Sequence, residues 1–99
     1  MDDAGPQLWQ LVTSLAGRDN GQSYLVCKVG GDGFAELTDG DKRRVETPKR
    51  KNVRHLVWHP AIAAELAVKS RNGAQVKNSE VRDALRRLLE EVLPGSAEE

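Results

Sequence analysis

Apolar and polar positions alternate in short runs over the first half of the chain, then recur at helical spacing in the second. Residues 8–12 (LWQLV) put Leu8, Gln10 and Val12 on one side and Trp9 and Leu11 on the other, the period of two that a strand shows. Residues 23–29 form the clearest strand, and 34–38 alternate enough for a third. A fourth strand is expected at 42–46. A fifth is expected at 52–58, where Val53, His55 and Val57 alternate with Arg54, Leu56 and Trp58. Between these runs lie Gly17-Arg18-Asp19-Asn20-Gly21, Gly30-Gly31-Asp32-Gly33, Asp39-Gly40-Asp41 and Pro48. Such residues mark turns, because glycine and asparagine tolerate positive φ and proline cannot continue a ladder. Short strands punctuated this way predict a mainly β fold, a small barrel of about five strands.

From His59 the period changes. Pro60 suits the first turn of a helix, where its missing N–H is not needed. Ile62, Ala63, Leu66 and Ala67 would face inward, and Gly73 would end the helix. A last helix is better marked, with Ser79 as the expected N-cap and Glu80 as an acid in the first turn. Val81, Leu85, Leu88, Leu89 and Val92 follow at helical spacing, and Pro94-Gly95 is the expected stop. Arg82, Arg86 and Arg87 alternate with Asp83, Glu90 and Glu91, a pattern of a solvated helix face. The chain thus divides into a barrel at 7–58 and a C-terminal α-helical extension at 59–94, packed on or beside it.

Ninety-nine residues, 38% of them apolar and 30% charged, suit one small domain, too short to enclose a deep catalytic pocket as well. No apolar run is long enough to cross a bilayer, and the acidic start MDDAGPQ is unlike a signal peptide. The expectation is a cytoplasmic protein with no membrane partner. The one cysteine, Cys27, excludes an internal disulfide and reads as a buried core thiol. His55 and His59 stand four apart, but only Cys27 could join them, so no metal site is read and no cofactor. His55 is expected at the edge of a basic surface or inside the barrel. Trp9 and Trp58 read as core or helix-packing residues. No serine stands in a nucleophile context and no Walker loop is present, so no enzyme is read.

Charge changes the picture most. Between Lys42 and Arg54, seven cations (Lys42, Arg43, Arg44, Lys49, Arg50, Lys51 and Arg54) surround one acid, Glu46, in a chain of zero formal net charge. Crowded like charges repel unless they serve a partner, so the stretch reads as an anion-binding surface more readily than as a merely solvated face. In the earlier loop Asp19 is expected to hydrogen-bond its own backbone, while Arg18 can pair with Asp19 or stay free for phosphate.

Three motifs carry a resemblance. Gln10-Leu11-Val12, the loop from Ser14 to Gly21 and Tyr24-Leu25-Val26 come first. Asp39-Gly40-Asp41-Lys42-Arg43-Arg44 with Pro48-Lys49-Arg50-Lys51-Asn52-Val53-Arg54-His55-Leu56 comes second. Asn78-Ser79-Glu80-Val81-Arg82-Asp83-Ala84-Leu85 comes third. Together, over residues 7–89, they resemble KOW-domain proteins, in particular a small bacterial group related to the ribosomal L14e/L27e/L6e family. Two positions depart from that pattern: Trp9 stands where glycine is expected, and Asn20 where lysine is common. The resemblance implies an SH3-like barrel that binds RNA, with ribosomal RNA of the large subunit as partner and ribosomal proteins as possible neighbours.

The expected contacts are Arg18, Asn20 and Gly21 on the loop, with Lys42, Arg43, Arg44, Lys49, Arg50, Lys51, Arg54 and His55 on the basic stretch. Gly21 is expected because the chain reverses sharply beside its ligand, and cations without a stacking row suit phosphate contacts to structured RNA. Exchanging Lys49, Arg50 and Lys51 for glutamine is expected to weaken RNA binding and leave the fold intact. A rival reading is a protein-interaction adaptor using the barrel and the apolar face of residues 81–92, without direct RNA binding. Binding to double-stranded DNA is a third, for which no helix has a basic base-reading face.

Overall fold

The computed structural model describes residues 6–92, so the expected helix stop at Pro94-Gly95 lies outside the described residues. Five strands run in the order β1 (Gln10–Ser14), β2 (Ser23–Val29), β3 (Phe34–Thr38), β4 (Lys49–Asn52) and β5 (Leu56–Ile62), with a 3-10 turn at Val53–His55 between the last two. Two helices follow, α1 (Ala64–Arg71) and α2 (Asn78–Val92). The strands form one antiparallel sheet of order β4-β3-β2-β1-β5. The fold is mainly β with a C-terminal helical part, as the pattern predicts. The sheet is not closed into a barrel, because its edge strands β4 and β5 each pair on one side only.

Strand alternation distributes the apolar residues between two cores. Val12, Tyr24, Val26, Ala35, Leu37 and Leu56 pack on one face, with Val53 and Trp58 against them. Leu11, Leu25 and the half-buried Cys27 point the other way, to a core completed by Ala63, Leu66, Val76, Val81, Ala84 and Leu88. Leu11 lies opposite Leu25 and Val12 opposite Tyr24 in the β1–β2 register. One residue of slip would send each of these residues to the wrong core, so the register is strongly specified.

Four element boundaries differ from the sequence reading. The first strand runs over Gln10–Ser14 and not over 8–12, because Trp9 at positive φ lies outside the ladder. Residues 42–46 are not a strand. The Asp39 carboxylate accepts from the backbone N–H groups of Asp41 and Arg43, both at 2.9 Å, and Thr38 Oγ1 donates to the Arg43 carbonyl at 2.6 Å. These local bonds satisfy the backbone in turns and remove the need for a ladder. The fourth strand is the basic Lys49–Asn52 instead. Asn52 then accepts from the Arg54 N–H at 2.9 Å and caps the 3-10 turn, which delays β5 to Leu56. Pro60 lies in β5 and not in a helix. Its missing N–H is tolerated because β5 is an edge strand, so the helical part begins at Ala64.

α2 lies against β2 and β5 and buries Val81, Ala84 and Leu88, with Leu85, Leu89 and Val92 packed beside them. Its N-terminus is capped at Lys77 and not at Ser79: the Glu80 carboxylate accepts from the Lys77 N–H at 2.8 Å, while the Lys77 carbonyl accepts from Glu80 and Val81. That is the returning half of a capping box. On the exposed side Arg86 pairs with Asp83, Arg87 crosses to Glu65 of α1, and Arg82 donates to the Gly40 carbonyl.

Trp9 stands in a backbone conformation that glycine adopts more easily. It is buried and has φ of +64°, the one non-glycine residue at positive φ among those described. A glycine expected at this position is therefore a matter of backbone conformation, which costs a side-chain-bearing residue about 1–2 kcal/mol. The indole offsets that strain by burial beneath the helices and by donating from Nε1 to Ser70 Oγ at 2.8 Å.

Candidate nucleic-acid interface

The Asp19 carboxylate organises one end of the sheet. Its side chain is only 11% exposed, and it accepts from Ser14 Oγ at 2.9 Å, Tyr24 OH at 3.2 Å and Lys51 Nζ at 2.8 Å. Lys49 Nζ stands 3.8 Å away. Burial alone would push the Asp19 pKa up, but the hydrogen bonds from Lys51 and Ser14 and the charges of Lys49 and Lys51 outweigh it and hold the pKa at about 2. Burial and the neighbouring Asp19 charge push the Tyr24 hydroxyl the other way, to about 12. Asp19 does not cap its own turn, as the sequence reading expected, but serves as the anchor for β4.

That anchor redefines two of the expected RNA contacts. Lys49 and Lys51 stand two apart in β4 and point to one side, as strand geometry requires. Both reach Asp19, and Lys51 also donates to the Ala16 carbonyl at 2.7 Å. Lys51 thus ties an edge strand of the open sheet to the β1–β2 loop. The signal was present in the sequence: Ser14 and Tyr24 each lie five residues from Asp19, and Lys49 and Lys51 share a strand face once 49–52 is read as β4.

Three segments lie at this end of the sheet. The β1–β2 loop is closed by the Gly21 N–H to the Ser14 carbonyl at 2.8 Å. Gly21 has φ of +90°, and a Cβ there would meet nothing within 4 Å. Glycine is required here by the backbone conformation, which a side chain would strain, and not by a close neighbour. The 3-10 turn docks on the same loop through the Leu15 N–H to the His55 carbonyl at 2.8 Å. The third segment, the turn that begins at Asp39, follows Thr38, which lies opposite Leu25, the neighbour of Tyr24, in the β2–β3 ladder. Arg18 and Asn20 on the first segment, Arg54 and His55 on the second, and Lys42 and Arg43 on the third are all exposed. Among the described residues no carboxylate pairs with Arg18, Lys42, Arg43 or Arg54.

The helical extension holds the third segment in place. Gly40, at φ of +75°, packs so closely on the start of α2 that a Cβ would lie 2.4 Å from the Asn78 carbonyl oxygen. The buried Asn78 accepts from the Val45 N–H at 2.8 Å and donates to the Glu46 carboxylate at 3.0 Å. That bond, ahead of the Arg44 charge, lowers the Glu46 pKa. Arg44 pairs with Glu46 at 3.6 Å and so turns toward α2. Nothing in the sequence reading assigned a role to Asn78.

Arg50 belongs elsewhere. It projects to the opposite side of β4 from its neighbours, stacks over the Phe34 ring at 3.9 Å and pairs with Asp32 at 2.6 Å. His59, the other histidine, shares a 2.9 Å hydrogen bond with Thr13 Oγ1 between β5 and β1. Of the eleven expected contacts, then, the fold brings Arg18, Asn20 and Gly21 together with Arg54 and His55 beside Asp19, and leaves Lys42 and Arg43 exposed on the turns after β3. It commits Lys49 and Lys51 to that carboxylate and directs Arg44 and Arg50 away. No helix among the described residues is long and apolar enough to cross a membrane. Compared with known proteins, the chain matches no family model, and no curated protein matches it.

Proposed function

We propose that this chain is a cytoplasmic RNA-binding protein of the KOW type, associated with the large ribosomal subunit through contacts to ribosomal RNA phosphates. One observation carries the reading: exposed cations stand on three separate segments, the Asp19 loop, the 3-10 turn docked on it and the turns after β3, each on a backbone fixed by hydrogen bonds. Cations presented on ordered loops can release counterions from a nucleic-acid backbone without losing much conformational freedom of their own. Such contacts set position and carry little sequence readout. The motif resemblance supplies the ribosomal setting.

The helix face that the adaptor reading uses is covered by the chain's own sheet, which leaves that reading only the surface of the sheet itself. The exposed face of α2 carries the Arg86–Asp83 and Arg87–Glu65 pairs, which leaves it without the uncompensated basic stripe that DNA reading by a helix uses. Co-sedimentation of the tagged protein with ribosomal particles from its own cells, at low and then raised salt, tests the proposal. The expected result is migration with the large subunit, lost as salt rises. A protein that stays at the top of the gradient at low salt overturns it.

A further inference from the structure

On the outer side of the β3–β4 hairpin lies a cleft of about 410 Å³, bordered by Lys28, Asp32, Phe34, Glu36 and Arg50 with the Gly30-Gly31 turn. Its volume falls within the ~300–1,000 Å³ of ordinary ligand sites. Glu36 faces Arg50 and Phe34 faces Asn52 in the ladder, so alternation puts Phe34, Glu36 and Arg50 on one surface, away from the Asp19 side. Arg50 Cζ stands over the Phe34 ring, 3.9 Å from its centroid. Asp32 fixes it there, binding Arg50 Nη2 with one oxygen at 2.6 Å and accepting the Phe34 N–H with the other at 3.1 Å. The guanidinium side chain remains 57% exposed, and a Cβ on Gly31 would meet nothing within 4 Å, so the approach is open.

The charges say what kind of ligand fits. Lys28 and Arg50 are balanced by Asp32 and Glu36, so this cleft has no excess positive charge with which to draw a phosphate. A planar guanidinium held over an aromatic ring and tied by Asp32 offers instead an immobilised π-surface, to which a second π-system adds at small entropic cost. We propose that the Phe34–Arg50 cleft receives one unpaired nucleobase of the bound RNA, stacked on the guanidinium. This rests on the RNA-binding reading above and adds to it a preference for RNA with an unpaired nucleotide beside a duplex, since β4 lies between the cleft and the cations around Asp19.

The test compares a blunt RNA duplex with the same duplex bearing a short single-stranded overhang, by fluorescence anisotropy at fixed salt. The overhang is expected to tighten binding roughly tenfold, the effect of one stacked base. Phe34→Leu should abolish that gain and leave blunt-duplex binding unchanged, while Phe34→Tyr should keep the gain. A fluorescent purine analogue in the overhang gives a readout on the unaltered protein, and stacking should quench it. If both duplexes bind equally, if the gain survives in Phe34→Leu, or if the analogue is not quenched, the stacking site is overturned and phosphate binding stands. If neither duplex binds, the RNA-binding reading itself falls.

Discussion

The cations of β4 and those of the loop before it are written in the sequence as one basic block, yet they behave as two populations. Lys49 and Lys51 turn inward to Asp19, and the Lys51 side chain is as little exposed as the carboxylate it meets, at 11% each. Lys42 and Arg43, a few residues earlier, stand exposed on turns held by Asp39 and Thr38. The difference teaches that the number of cations in a segment is not the charge it offers. A lysine on a strand face beside a buried acid is part of the fold, and an arginine on a hydrogen-bonded turn is available to a ligand.

Three experiments sharpen that contrast. The largest effect is expected for Asp19→Ala, which leaves Lys51 and Lys49 without their counter-charge and the Ser14 and Tyr24 hydroxyls without their acceptor. The loss should be about 2–3 kcal/mol, at or below the low end for breaking a buried pair because Asp19 and its lysines are only partly buried, read from urea denaturation midpoints. A loss within the range of a surface substitution would put Lys49 and Lys51 back among the free cations.

Acid titration comes next. The folded pKa of Asp19, about 2, lies below its ordinary 3.8, so the group stabilises the fold above the unfolded value. That contribution, about 2 kcal/mol, should be complete above about pH 4 and lost as pH falls through the folded value. Denaturation measured across that window should show the fall in the parent chain, and a correspondingly smaller one in Asp19→Ala.

The smallest effect concerns the loops. Replacing Lys42, Arg43 and Arg54 together with glutamine should leave the denaturation midpoint almost unmoved. It should weaken RNA binding roughly tenfold and flatten its dependence on salt. By contrast, the exchange of Lys49, Arg50 and Lys51 expected from sequence to spare the fold should destabilise it through Asp19, so any loss of RNA binding there would report unfolding as well. A loop triple variant that bound RNA as the parent does, with the same salt dependence, would remove these three side chains from the interface.

Much of the fold was legible in the alternation of residues, and the reason is physical. Where both faces of a strand are buried, as at Leu11, Val12, Leu25 and Val26, burial of alternate side chains in different cores specifies the strand and its register. β2 and β3 occupy the residues read from the pattern, and the inward face of α2 is the one its spacing predicts. The fourth strand was misplaced because Lys49–Asn52 carries no apolar signal. It is a strand because Leu37, Ala35 and Phe34 of β3 have Lys49, Lys51 and Asn52 opposite them in the ladder, and because Asp19 neutralises its lysines.

The sequence by itself determined the mainly β architecture, the turn positions, the helical C-terminal part and the presence of surplus positive charge at 42–54. Only the tertiary structure decided which of those charges pair with a carboxylate and which stand exposed, since that depends on Asp19, some thirty residues away from Lys49 and Lys51 along the chain. Tertiary packing also settled the backbone at Trp9, where burial and the bond to Ser70 hold a bulky residue at a φ that local preference disfavours. It joined Gly40 and Val45 to Asn78, contacts that no local pattern encodes. Local periodicity reports how a segment divides between core and solvent. The partner of a buried charge is set by the fold that brings distant segments together.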